Sequence, residues 1–303
     1  MKIASLDLGS NTFLCLISEV EDQKIKNVMS DHVEVVRLGQ GLSQSKKFHP
    51  EALKRAEACL KRFKGIIEAA KPDAVLAMAT SAARDAENRD ELFKICKDLD
   101  IPLEIIPGDK EAEITYRGSV SGVQSNAHRL VVDIGGGSTE FIFGQGSRIL
   151  NAKSLDIGCV RLTEKFIPNQ PTNLSEIESL QKYIYAELKK IKQLSNESPA
   201  EILAVAGTPT TIAAVEIGYF DPKKIDNYKL TRENLLNWLT KLTGLSVAEK
   251  IKLGFPEGRA DVILVGIVIL IETLNLFKKD EILVSTRGVR YGVALELAHR
   301  FNS

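Results

Sequence analysis

The chain has no excess of charge of either sign, no long apolar run and no paired cysteines. Each absence removes a class of function. Its 40 Lys and Arg balance its 40 Asp and Glu, so no global field favours nucleic acid or a membrane surface. Basic groups for a polyanionic ligand must therefore be local. The longest apolar run, VILVGIVILI at 262–271, is about half of what a membrane-spanning helix needs and reads as a core helix. Asp7 and Asn11 interrupt the N-terminal apolar stretch, which argues against a signal peptide. Cys15, Cys59, Cys96 and Cys159 form no CxxC pair and read as reduced core thiols of a cytoplasmic protein. Neither GxGxxG nor GxxxxGK[ST], the common glycine-rich phosphate fingerprints, occurs. What remains is a soluble globular composition, 44% apolar and 26% charged, in a chain long enough for two domains.

Two stretches share one grammar. In KIASLDLGSNTFLCLI, residues 2–17, an apolar run meets Asp7, Gly9, Ser10, Asn11 and Thr12 before a second apolar run. In RLVVDIGGGSTEFIFG, residues 129–144, the same order gives Asp133, three glycines, Ser138, Thr139 and Glu140. Around them the pattern predicts strands over 2–8 and 13–20 and strand character over 25–38. A helix follows over 49–72, with Leu53, Ala56, Leu60, Phe63 and Ile67 at helical spacing. Strands are expected at 73–80 and 101–108, and helices at 81–100 and 109–123. The order then restarts 126 residues on, from Asp7 to Asp133. Strands are expected at 129–133, 139–144, 148–155 and 200–207. Helices are expected from about 159, near 175–194, and over 208–218, 231–243 and 259–277. The segment 280–299 reads as strand, turn, helix. This alternation predicts two α/β domains with facing glycine turns and a cleft between them. The expected division is 1–122 and 123–303, with the C-terminal helix, about 289–303, a candidate to pack back on the first domain.

A run such as Gly135-Gly136-Gly137 suits positive φ and close approach of a large group. Successive amide N–H groups can face one concavity and hold an anion, and Ser138 and Thr139 add hydroxyls. Asp133 and Glu140 would repel a phosphate unless a hard cation lay between them. The arrangement therefore points to magnesium with phosphate. A tight hairpin with solvated acids is the plain alternative, and the occurrence of two hairpins of one design weighs against it.

The motifs DLGSNT, TSAARDAEN, IIPGDKEAEITYRG, VVDIGGGSTEF, SLDIGCVRLTEKF, AVAGTPTTIAA, GRADVILVG and ILVSTRGVRYG occur in this order. Together they resemble the exopolyphosphatase / guanosine pentaphosphate phosphohydrolase (Ppx/GppA) family over essentially the whole chain. The resemblance implies the duplicated actin-like, sugar-kinase-like ATPase fold and hydrolysis of a terminal phosphoanhydride aided by Mg2+ or another divalent cation. It makes Glu111 the water-activating base. Lys110 stands where an acidic residue is usual, and Glu113 is a nearby carboxylate expected to point elsewhere. The helix N-terminus would favour ionised Glu111 rather than a raised pKa. Asp133 and Glu140 are assigned to the metal, with Asp7 opposite them. Gly9, Ser10 and Asn11 are assigned to a first phosphate loop, and Gly135, Gly136, Gly137, Ser138 and Thr139 to a second. Arg84 is the candidate cation for the transferred phosphoryl group, against the alternative of a helix-surface arginine. Arg287 and Arg290 are assigned to structure. The chain departs from the family at Phe13, Leu14 and Cys15, where a basic or polar residue is common.

The expected substrate is inorganic polyphosphate or guanosine pentaphosphate, in a cytoplasmic protein of the short, two-domain form that binds neither nucleic acid nor membrane. Homodimer formation is left open. The four histidines, His32, His49, His128 and His299, form no HD-type metal signature. Because long polyphosphate calls for an extended basic groove, short chains or guanosine pentaphosphate are expected to be favoured. Two rival readings are an actin-like or sugar-kinase-like ATP-dependent phosphotransferase and a non-catalytic sensor of guanosine polyphosphates.

Overall fold

The computed structural model describes residues 1–121, 126–194 and 197–302. The chain opens with β1 (Lys2–Leu8), β2 (Thr12–Glu21) and β3 (Lys24–Val35), then α1 (Leu42–Ser45) and α2 (Pro50–Ala70). It continues through β4 (Ala74–Ala79), α3 (Ser81–Asp85), α4 (Asp90–Asp98), β5 (Leu103–Ile105) and α5 (Gly108–Ser119). The order restarts with β6 (His128–Ile134), β7 (Thr139–Gln145), β8 (Arg148–Leu155), α6 (Cys159–Phe166), α7 (Leu174–Lys192), β9 (Glu201–Val205) and α8 (Gly207–Ile217). Next come α9 (Pro222–Ile225), β10 (Lys229–Thr231), α10 (Arg232–Thr243), α11 (Val247–Lys252), α12 (Glu257–Ala260) and α13 (Ile263–Phe277). The described chain closes with β11 (Glu281–Val284) and α14 (Val289–Asn302). Two compact units result, Met1–Gln124 with Arg287–Ser303, and Ser125–Thr286.

In the first unit the strand order is β3-β2-β1-β4-β5. The three hairpin strands pair antiparallel, and β4 and β5 run parallel to β1 after helical crossovers. Alternation sends Leu6, Leu8, Phe13 and Cys15 into a core shared with Leu53, Leu60 and Phe63 of α2. It sends Ile3, Leu16 and Met78 into a second core with Ile114 of α5 and Val293 of α14. The α2 sequence carries its own boundaries. The His49 side chain accepts from the Glu51 N–H, Pro50 opens the first turn, and Lys71 leaves it in the left-handed region.

The second unit repeats the order as β8-β7-β6-β9-β11 and adds β10, antiparallel, beside β11. The repeat extends to register. Leu8 faces Phe13 across the first hairpin, and Ile134 faces Thr139 across the second. This is the duplicated actin-like α/β architecture expected from the sequence. The apolar run at 262–271 forms the N-cap, Val262, and the first part of α13, buried throughout. Among the described residues no helix is long and apolar enough to cross a membrane. All four cysteines are free and buried.

The predicted helix over 81–100 is two helices. Ala86 is extended, the Glu87 N–H donates to the Lys46 carbonyl, and Asn88 accepts from the Phe48 N–H while donating to the Phe48 carbonyl. These bonds draw the chain off the helix axis. The helix expected over 109–123 ends at Ser119, and its last two positions lie outside the described residues. The helix expected over 259–277 breaks between Ala260 and Ile263. The short strand β10 overlaps the start of the helix expected from 231.

Candidate active site

The two hairpin turns close in the same way. The Gly9 N–H donates to the Thr12 carbonyl at 3.1 Å, and the Gly135 N–H donates to the Ser138 carbonyl at 3.0 Å. A Cβ on Gly9 would lie 3.0 Å from the Thr12 carbonyl oxygen, and one on Gly135 would lie 2.9 Å from that of Ser138. Glycine is required for this close approach, not for a left-handed backbone. The positive-φ glycines among the described residues are Gly41, Gly146, Gly218 and Gly254. The positive φ expected for Gly135–Gly137 is therefore corrected.

The turn carbonyls are pulled back by the chain that follows each third strand. In the second unit the start of α6 does this. The N–H of Cys159 donates to Gly135 O at 2.9 Å, and those of Val160 and Arg161 donate to Gly136 O at 2.9 and 3.0 Å. Arg161 Nε donates to Gly137 O at 2.7 Å. Peptide units are trans and planar, so each carbonyl held by α6 turns the next N–H to the opposite side. The N–H groups of Gly136, Gly137 and Ser138 thus point away from the groups that hold these carbonyls. In the first unit Val36 and Arg37 donate to Asn11 O at 3.0 and 2.8 Å, and Gly39 donates to Ser10 O at 2.8 Å. The same reasoning turns the N–H groups of Asn11 and Thr12 away from this strap. Sequence reading gave no role to Gly158 or Arg161. A Cβ on Gly158 would lie 2.3 Å from Gly136 O, so the approach of α6 to the turn depends on that glycine.

Asp133 and Glu140 are direct partners across the β6–β7 ladder, which puts both carboxylates on one face. Glu140 is 1% exposed and accepts from the hydroxyls of Ser138 at 2.8 Å and Ser154 at 2.7 Å. Thr139 differs from expectation: its buried hydroxyl donates to the Ile157 carbonyl at 2.9 Å, so it anchors the turn to the α6 entry. Among the described residues no group of three or more His, Cys, Asp or Glu converges on a point. Two carboxylates on one face suit magnesium, which keeps waters and takes further oxygens from phosphate.

In the first unit the ends of β1, β4 and β5 line up through the pairs Leu8–Ala79 and Ala79–Ile105. Arg84 follows β4 on α3, and Glu111 follows β5 in the first turn of α5. They meet: Arg84 Nη1 donates to Glu111 Oε2 at 2.5 Å and to the Ile106 carbonyl at 3.0 Å. The buried Glu111 carboxyl is pushed above its usual range by desolvation, which the Arg84 charge and hydrogen bonds from Arg84 and Thr80 oppose. The helix N-terminus thus does not set this pKa; burial does. Glu113 points elsewhere, pairing with Lys110 at 3.2 Å and Arg117 at 2.6 Å.

Asp7 lies near Arg290 of α14, which forms a bidentate pair with Asp31 at 2.8 and 2.7 Å. Burial works against the Arg290 charge, yet Asp31, Tyr291 and Asp7 hold it above its usual value. Asp31 had no signal in the sequence, because its partner lies 259 positions away. Arg287 donates to the Ser121 carbonyl. Phe13 and Cys15 point into the core, so the β2 start supplies no cation to the first turn.

The model of the Ppx/GppA phosphatase family matches residues 16–301. The "Exopolyphosphatase 2" of Mycobacterium tuberculosis is 31% identical, over 98% of each chain. The "Bifunctional 3-dehydroquinate synthase/phosphatase" of Fusobacterium nucleatum is 34% identical over 97% of this chain but 46% of its own length. The crystal structure of an exopolyphosphatase from Cytophaga hutchinsonii superposes with a TM-score of 0.91 at 29% identity, covering 99% of this chain and 98% of that one.

Proposed function

The chain belongs to the Ppx/GppA phosphatase family, and from that premise we propose that it is an exopolyphosphatase-type hydrolase. It releases terminal orthophosphate from inorganic polyphosphate or guanosine pentaphosphate. The observation that carries this reading is that the carbonyls of the glycine turn at 135–137 are held by the start of α6, which by peptide planarity turns the N–H groups that follow them away from that helix. Such a cradle suits a chain of phosphate oxygens. In the first unit the same task falls to the backbone after Ser10, at the N–H groups of Asn11 and Thr12, while Gly9 closes the turn through its bond to the Thr12 carbonyl.

Hydrolysis of a phosphoanhydride needs a positioned water and neutralised phosphate charge. Glu111 takes the proton of the attacking water while Arg84 holds its Oε2. A carboxyl raised by burial is a better base than an exposed one, provided it is ionised at working pH. Arg84 serves first to place that base, and its charge also suits a phosphoryl group in flight. Asp133 and Glu140 would hold a divalent cation, which when bound neutralises phosphate oxygens. Ser138 and Ser154 fix the Glu140 carboxylate for that purpose. A guanidinium beside Asp7 disfavours a second cation, so Asp7 is left out of the metal's ligands in this reading. Thr139 contributes through its backbone position and not through its hydroxyl.

The test is orthophosphate release in the presence of magnesium, with polyphosphates of several lengths, guanosine pentaphosphate and ATP as substrates. Release from polyphosphate or guanosine pentaphosphate, with ATP inert, is expected. Release from none, or transfer of the ATP γ-phosphate to an acceptor, would overturn the proposal.

A further inference from the structure

β3 is an edge strand. It ends the sheet of the first unit, and among the described residues no other strand pairs with its outer side. The duplication supplies an internal control, since β8 stands at the same edge of the second sheet. The two edges differ. β8 exposes one large apolar side chain, Leu150, at 42%. β3 exposes four: Val28 at 40%, Met29 at 47%, Val33 at 52% and Val35 at 40%. A long apolar edge is a template for another strand and is normally blunted by charge, bulges or cover.

The irregularities of β3 are confined to its first half. The pairing with β2 shifts register between Ile17 and Ser18 and between Glu19 and Val20. Beyond them, Ser30–Val35 runs in regular register against Thr12–Ile17. Side chains alternate along this run. Asp31, Val33 and Val35 share the face on which Arg290 binds Asp31. His32 and Glu34 share the other, where Arg62 of α2 binds Glu34.

The centre of this run, His32 to Glu34, is complementary to itself, and beyond it Asp31, held by Arg290, falls opposite Val35. Pairing it antiparallel with an identical copy about a two-fold axis at Val33 sets Val33 against Val33. It also sets His32 against Glu34 on both sides of the axis. Moving the axis to Glu34 would oppose two carboxylates, which is destabilising in a sheet. Moving it to His32 would oppose two imidazoles and leave Glu34 facing Ser30. A two-fold contact of one surface with itself is the commonest route to a homodimer. We propose that β3 pairs with β3 of a second copy of this chain about an axis at Val33, joining the two first-unit sheets into one.

The experiment uses the full chain. Sedimentation should show a concentration-dependent dimer that Val33→Lys weakens at least tenfold, because two ammonium groups would face each other across the axis. Leu150→Lys on the control edge should leave the dimer unchanged. Val33→Cys provides a second readout. The four native cysteines are buried, so mild oxidation should yield a disulfide-linked dimer through position 33, and Leu150→Cys should yield none. A wild-type chain that stays monomeric at every concentration, with no cross-link at position 33, would overturn the proposal. So would a dimer weakened equally by the Leu150 substitution. The phosphate-release assay is independent of either outcome, so failure here leaves the proposed function standing.

Discussion

Glu111 and Arg84 form the residue pair on which the chemistry is argued. Burial raises the Glu111 carboxyl, and Arg84 is the chief influence opposing it. Removing the guanidinium should therefore raise the carboxyl further. A base acts only when ionised, so activity is lost as pH falls through its pKa. In Arg84→Met the acid limb of the kcat/KM profile is expected to move to higher pH than in the wild type. An acid limb that stays in place would show that Arg84 does not set the base. The sequence named both residues through the resemblance but could not show that they touch. They lie on separate helices, and only the parallel register of β1, β4 and β5 brings those helix starts together.

Among the elements, α5 is placed by α14, which packs on it at glycines. A Cβ on Gly292 would lie 1.9 Å from the Ile114 carbonyl oxygen, and one on Gly118 would lie 2.2 Å from that of Gly288. Both contacts are to backbone, which has little room to shift. Glu296 of α14 adds ion pairs to Lys110 at 3.5 Å and Arg117 at 3.4 Å. Gly292 of STRGVRYG and Gly118 of α5 thus serve helix packing. Gly292→Ala is expected to cost about 1–3 kcal/mol, the usual range for overpacking. Gly65→Ala in α2 meets open space and should stabilise by about 1 kcal/mol through helix propensity. Denaturant unfolding of the two variants checks both signs; equal stability would remove the packing argument. Gly158→Ala tests the other close approach. It should push α6 off the Gly136 carbonyl and raise KM for polyphosphate more than it lowers unfolding stability. An unchanged KM in a folded variant would detach the cradle from substrate binding.

Much of this architecture was legible in the whole chain, because the period of the apolar residues and the repeated Asp-x-Gly turn are local signals. The register offset from Asp7 to Asp133 holds down to the hydrogen bond that closes each turn. What the sequence hid was set by distant partners. The break after Asp85 depends on residues 46–48, the anchoring of Thr139 on Ile157, and the pairing of Arg290 on Asp31. The triple glycine was legible as a place of close approach, although its presumed left-handed backbone was not found. The α6 clamp was hidden for the same reason, since Gly158 acquires meaning only when the helix is seen against the turn.

The account rests on a buried carboxylate that takes a proton from water. Single-turnover release of orthophosphate, measured with magnesium at saturating enzyme for wild type and Glu111→Gln, tests it most directly. The amide keeps the shape of the side chain but cannot accept the proton. General-base catalysis is typically worth about 10²–10⁴ in rate. The account predicts a loss of that order in the chemical step, with substrate affinity essentially unchanged. A variant that binds weakly yet turns over at the wild-type rate would contradict it.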